Sequence, residues 1–384
     1  MRILYSHRTK SADGQYVHIR ALTEALAARG HDIIMAGPDD SGVKSPKRLD
    51  AGAGEGGLKA LLPKPVYEAA EIAYSIPAYF RLAKKAAGAD VLYERYNLFY
   101  HSGVRLARAR RLPMILEVNA PLADERARHG GLALKPLARW SETSIWRAAD
   151  AVLPVTGVLA KMIEKAGVPS EKITVIQNGV DAEFLAAVDP RETRARYGLE
   201  GKLVLGFTGF VREWHGVDRI VRYIAQSGRK DLHLLLVGDG SAREGLERQA
   251  REAGVADQLT VTGVMQRDAM PAHVAAFDIA LQPAVVAYAS PLKLFEYMAQ
   301  ARAIVAPASE NIREVLTSGG DALLFALDDE AALFAALDRL VADASLREKL
   351  GKSARESLLR QGFTWAENAA RVERIAARLM EERK

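Results

Sequence analysis

The segment Ser290-Pro291-Leu292-Lys293-Leu294-Phe295-Glu296 sets a cation and a carboxylate three residues apart behind two helix-starting residues. Ser290 is a favoured N-cap and Pro291 suits the first helical position, so a helix is predicted to begin here with its positive end foremost. Unpaired N–H groups at that end, with Lys293 beside them, would hold a diphosphate. Glu296, one turn on, would accept hydrogen bonds from a ribose diol. The plainer reading is a solvated ion pair on one helix face, worth a few tenths of a kcal/mol. Position after a strand and at a helix start favours the ligand site.

Three further turns have similar chemistry. Gly206-Phe207-Thr208-Gly209-Phe210-Val211-Arg212-Glu213-Trp214-His215-Gly216 runs from a strand through a glycine-bounded loop, where the Arg212 guanidinium can bind two phosphate oxygens in a planar fork. Its alternative is a surface pair with Glu213, and His215 reads as a phosphate neighbour or a packed cap residue. Val237-Gly238-Asp239-Gly240-Ser241 suits close passage beside a nucleotide and equally an ordinary strand-to-helix turn. Asp13-Gly14 opens a helix that closes at Gly30, and Gly14 there permits backbone approach to an anion.

The elements that must carry these turns are legible as alternating apolar runs and 3.6-period stretches. Ile3–Tyr5, Ile33–Ala36, Val91–Tyr93, Met114–Val118 and Ala151–Pro154 lead the first half. Leu203–Phe207, Leu234–Val237, Leu259–Val261, Ile279–Leu281 and Ile304–Ala306 follow a break at Asp189-Pro190. Such alternation predicts parallel sheets wrapped by helices, hence α/β class and two Rossmann-like domains, 1–188 and 189–364. A terminal helix over 365–384 is predicted to cross back to the first domain. Ligands of open parallel sheets sit at the carboxyl ends of the strands, so the two domains are expected to face one another across a cleft.

Composition narrows the classes. The 384 residues are 49% apolar and 26% charged, which excludes disordered and fibrous chains. No cysteine is present, so disulfides, thiolate metal sites and thiol nucleophiles are excluded. Residues 1–180 hold 26 basic against 18 acidic side chains, a net +8, and the remainder nets −3. The basic half suits an anionic membrane, an acidic acceptor, a polyanion or simply a solvated surface. Glycines 52 to 57 read as a loop, and Val66 to Lys85 as one amphipathic helix interrupted at Pro77, lying on a membrane or packed on the sheet. No export signal or membrane span is read, so the expected location is cytoplasmic, with peripheral contact at the inner face of the cytoplasmic membrane.

Together these segments resemble glycosyltransferase family 4, retaining enzymes of the GT-B fold. The likeness rests on Gly30-His31, Val175-Ile176-Gln177-Asn178-Gly179-Val180-Asp181, Trp214-His215-Gly216, Gly238-Asp239-Gly240 and the Ser290-to-Ala299 helix. It implies that Glu296 binds the donor ribose, and that Ser290, Leu292, Lys293 and Arg212 hold the diphosphate. Gly14 and Gly209 approach the same group, Gly238 and Asp239 line the nucleotide, and backbone near Val264 reads the base. The family's pair of glutamates eight residues apart keeps only Glu296, because Tyr288 stands at the first position near the transferred sugar. Phe210 and His215 replace the usual arginine and lysine of the phosphate loop, and Pro291 replaces a frequent glycine.

The implied reaction is metal-independent and retaining, with the departing diphosphate itself taking the acceptor proton. Catalytic weight then falls on Asn119, Arg212 and Lys293, and Asp13, Glu94, Glu117 and Asn119 are the acceptor-side candidates from loops that follow strands. Glu94 and Arg95 have the alternative of pairing with each other. The expected partners are a nucleotide sugar, with UDP-sugar favoured and GDP-sugar next, and a glycan, lipid-linked or small-molecule acceptor of polysaccharide biosynthesis. No cofactor or metal is expected, since neither Asp-x-Asp nor His-x-x-x-His occurs. Rival readings are a GT-B nucleotide-sugar 2-epimerase and a non-enzymatic polyanion-binding protein. A nicotinamide dehydrogenase is disfavoured because no Gly-x-Gly-x-x-Gly opens a helix after a strand, and a serine hydrolase because no Gly-x-Ser-x-Gly occurs.

Overall fold

A computed structural model describes residues 1–9, 14–38, 63–128 and 131–383. Asp13 and the glycine-rich stretch 52–57 lie outside the described residues. The chain divides into two compact units, one of Met1–Gln177, Tyr288–Ser290 and Trp365–Lys384, the other of Asn178–Ala287 and Pro291–Thr364.

In the first unit, strands β1 (Arg2–Ser6), β2 (Asp32–Ala36), β3 (Val91–Arg95), β4 (Met114–Val118) and β5 (Ala151–Pro154) form one parallel sheet in the order β2-β1-β3-β4-β5. Strands β3 to β5 are buried along their whole length, as expected where helices cover both faces. Leu4, Leu92, Leu116 and Val152 pack with Leu82, Trp146, Leu159 and Ile163 in one core. The strand order reverses between β1 and β3, and such a switch point opens a crevice at the carboxyl ends of the strands. Helix Trp365–Glu381 belongs to this unit: Trp365 meets the His18 ring edge-on at 4.7 Å, and Glu373 pairs with Arg29 at 2.5 Å.

The second unit holds β6 (Leu203–Thr208), β7 (Leu232–Val237), β8 (Leu259–Val261), β9 (Ile279–Leu281), β10 (Ala303–Pro307) and β11 (Leu323–Phe325). All pairs are parallel and the order is β11-β10-β9-β6-β7-β8, with the switch point between β6 and β9. Strand β11 was not among the expected strands. Residues 178–188, expected with the first domain, pack on the second unit: the Val180 amide donates to the Phe363 carbonyl at 3.1 Å, and Phe184 is buried in that unit's core.

The expected amphipathic helix over 66–85 is two helices, Lys64–Ala73 and Ser75–Lys85, and the break falls at Tyr74 rather than Pro77. Pro77 lies in the first turn of the second helix, where an amide would lack an intrahelical partner anyway. Ala78 and Leu82 are buried, whereas Ile76 and Phe80 are 56% and 65% exposed. No helix among the described residues is long and apolar enough to cross a membrane.

Candidate functional site

In the second unit, the loops after β6 and β7 lie backbone against backbone. The Gly209 amide donates to the Val237 carbonyl at 2.9 Å, and the Val211 amide donates to Asp239 at 2.8 Å. Gly209 (φ +115°) and Gly238 (φ +140°) occupy conformations that L side chains avoid, and a Cβ on Gly238 would stand 2.1 Å from the Gly209 oxygen. The Gly238–Gly263 bridge brings the next loop alongside, where Val264 is 56% exposed. Asp239 accepts from the Gly240 amide at 2.8 Å and from Arg243 at 3.2 Å, which closes its own turn.

Helix Leu292–Ala299 is tied to this switch point by Tyr297, whose hydroxyl accepts from the Thr208 amide at 2.9 Å and donates to the Leu281 carbonyl at 3.4 Å. That anchorage places the Lys293 ammonium 3.6 Å over the Phe207 ring, against Gly209. Burial pulls the Lys293 pKa down to about 7, against the opposing pull of Glu296. Pro291, not Ser290, occupies the N-cap, and no side chain caps the helix. Ser290 instead donates to Gln177 at 2.9 Å and belongs to the first unit, because the proline fixes an extended approach that leaves the serine one residue too early. Leu292 opens the helix, partly buried.

Arg212 is exposed, and its guanidinium lies 5.4 Å over Phe210; among the described residues it forms no ion pair with Glu213 or any other carboxylate. Its amide donates to His215 Nδ1 at 3.0 Å, and the His215 ring packs against Trp214 and Phe207. Burial, then Lys293 and Arg212, push the His215 pKa down to about 3, so this histidine is neutral. It shapes the loop rather than adding charge.

Glu296 is buried and bound to Arg267, not to Lys293. Arg267 also donates to Asp181 at 3.0 Å through Nε and lies 4.7 Å over the Phe184 ring. Burial works against the Arg267 charge, but the two carboxylates outweigh it and raise the guanidinium pKa. The solvated i, i+3 pair is therefore replaced by a partly buried triad centred on buried Glu296. Arg267 lies outside the motifs quoted from the sequence, although both of its partners, Asp181 and Glu296, fall within them.

In the first unit, Glu117 at the end of β4 gathers four donors. These are His18 at 2.9 Å, Tyr93 at 2.7 Å, Arg95, and Asn119 at 2.5 Å. Burial favours its neutral form, yet His18 and Arg95 outweigh this and hold the carboxyl well below the usual range. Arg95 thus pairs with Glu117, not with Glu94: successive β3 residues face opposite sides of the sheet. Glu94 points the other way, accepting from Ser6 at 3.1 Å against Gly103, and burial pushes its pKa up to about 8. Gly14 begins helix Gly14–Ala28 and is exposed. Tyr288 packs on the first unit's core, and its carbonyl accepts from Thr156 at 3.0 Å. Burial, then Glu125, raise its hydroxyl pKa.

With this geometry in hand, two family profiles divide the chain. Residues 12–184 match Glycosyltransferase Family 4, and residues 202–343 match Glycosyl transferases group 1. The chain belongs to glycosyltransferase family 4. Relatives within the family include an alpha-D-kanosaminyltransferase of Streptomyces kanamyceticus, 26% identical over 57% of this chain. The match spans 58% of that enzyme's own length, and a D-inositol 3-phosphate glycosyltransferase of Stackebrandtia nassauensis is likewise matched over 54% of its length. HepE of Anabaena, solved in complex with UDP, superposes with a TM-score of 0.77 at 15% identity, covering 98% of this chain and 100% of HepE. Its likeness places the two units in the GT-B fold class.

Proposed function

We propose that the chain is a glycosyltransferase that moves a sugar from a nucleotide-diphosphate sugar, UDP-sugar first and GDP-sugar next, to a glycan, lipid-linked or small-molecule acceptor. The observation that carries this reading is the Lys293 ammonium held beside Gly209 at the β6/β9 switch point, with the Arg212 guanidinium exposed on the adjoining loop. Two cations beside close-packed glycine backbone suit a diphosphate whose charge grows as the sugar leaves. HepE was also solved with UDP-glucose, and a GDP-mannose-dependent mannosyltransferase of Mycolicibacterium smegmatis is 26% identical over 68% of this chain, which supports a nucleotide sugar as donor.

In this reading the bond from the anomeric carbon to the diphosphate oxygen breaks as the acceptor oxygen bonds to the same face, and the acceptor proton passes to a diphosphate oxygen. Arg212 and Lys293 stabilise the charge that a metal would otherwise meet. The Arg267 triad holds Glu296 for the ribose. Exposed Ile76 and Phe80 beside Arg81 and Lys84 extend the proposal to peripheral contact with the inner face of a cytoplasmic membrane.

The test needs no acceptor. Slow hydrolysis of UDP- and GDP-sugars is followed by proton NMR in EDTA. Release of the donor's own anomer first, undiminished by EDTA, is expected; the opposite anomer, or loss of turnover with EDTA, would overturn retention or metal independence respectively.

A further inference from the structure

A second cationic recess lies wholly within the first unit and shares no residue with the Lys293 site. His7 and Arg8 follow β1, Gly37 follows β2, and Tyr100 follows β3, so the recess opens at the carboxyl ends of the strands beside the β1/β3 switch point. Tyr74, Arg81 and Lys85 close it from the helical side, and it is open to solvent.

Its charges are unusual. The Arg8 guanidinium lies 4.6 Å over the Tyr74 ring and 5.4 Å over Tyr100, and the Arg81 guanidinium lies 4.9 Å over the same Tyr74 ring while donating to its hydroxyl. Two guanidiniums gathered on one ring repel each other, and among the described residues neither has a carboxylate partner. Among the described residues, the neighbouring acids do not supply one. Glu71 already pairs with Arg126 at 2.8 Å, and Glu94, buried near Tyr100, remains uncharged at neutral pH. Lys85 adds a third cation, donating to the Met35 carbonyl at 2.7 Å.

We propose that this recess binds a phosphate group, with Arg8 and Arg81 as its fork-shaped ligands and Lys85 as a third cation. Guanidinium geometry matches two oxygens of a phosphate, and an incoming dianion would turn mutual repulsion into attraction. That the phosphate belongs to the acceptor rests on the transferase reading; that the recess takes phosphate does not. The acceptor class it selects is a phosphate ester, soluble or lipid-borne.

The experiment titrates inorganic phosphate by calorimetry into the whole protein with UDP present to occupy the donor site. The variants are Arg8→Gln and Arg81→Gln, with the remote surface change Lys352→Gln as control. Unfolding midpoints confirm that each is folded. Phosphate binding is expected in the wild type and control, and about tenfold weaker in each recess variant. Equal isotherms in all four proteins, or no heat in the wild type, would overturn the proposal. Sedimentation with phosphatidic acid vesicles but not phosphatidylcholine vesicles, lost in both variants, assigns a lipid phosphate; binding of phosphate without sedimentation assigns a soluble ester. Failure of UDP, GDP, ADP and TDP all to bind while phosphate still does would sink the transferase reading and leave this one standing.

Discussion

Lys293 is the side chain whose titration reports most on the site. Its folded pKa of about 7 lies below its ordinary value, so the free protein takes up a proton there when an anion arrives. UDP-glucose is the right probe, because its diphosphate does not titrate near neutrality. Affinity should fall as pH rises from about 6 to 9, roughly tenfold per unit above the Lys293 pKa until the bound state also deprotonates. Proton uptake, measured in buffers of differing ionisation enthalpy, should approach one, and Lys293→Met should abolish both effects. A pH-independent affinity with no proton uptake would show that Lys293 is not at the diphosphate. The same group makes a stability statement of fixed sign. Between about pH 7 and its ordinary pKa the unfolded chain holds a proton the native one lacks, so its cost to stability is full below 7 and fades as pH rises. Lys293, Glu296 and Arg212 were visible in the sequence because each lies in, or within two turns of helix after, a strand-to-helix turn marked by glycine, serine or proline. Arg267 was not, because its partners Asp181 and Glu296 are distant in sequence and only folding joins them.

At the scale of elements, the close passage of two loops is the feature that a single methyl group would break. Gly238→Ala places a Cβ 2.1 Å from the Gly209 oxygen at a strained φ, and both loops would have to move. A loss of about 2–4 kcal/mol is expected, seen as a lower unfolding midpoint, together with weaker UDP-glucose binding. Unchanged midpoint and affinity would refute the argument from backbone approach. Most strands were legible because fully buried parallel strands are continuous apolar runs. Strand β11 is as short as β8 and β9, but its apolar run continues through Ala326 and Leu327 towards the apolar helix Glu330–Ala342, so it does not stand apart in the sequence. The Ser290 cap failed for a local reason: Pro291 took the N-cap position and left the serine to bond Gln177. Pairing of Glu94 with Arg95 failed because neighbours on a strand face opposite ways.

For the whole molecule, the charge asymmetry acquires a location. The first 180 residues net +8, and Arg8, Arg81 and Lys85 gather at the strand ends of the first unit. The second unit sets Lys293, Arg212 and Arg267 around glycine loops and a buried carboxylate. Two parallel sheets thus present two different cationic edges, each beside its own switch point. The central claim is that the second unit's edge binds the diphosphate of a nucleotide sugar. Calorimetric titration of UDP, GDP, ADP and TDP in EDTA, on the wild type, Arg212→Ala and Glu296→Ala, tests it most directly. The account predicts that one nucleotide, UDP first, binds the wild type and is weakened about tenfold or more by each substitution; binding of none of the four, or equal binding by all three proteins, would contradict it.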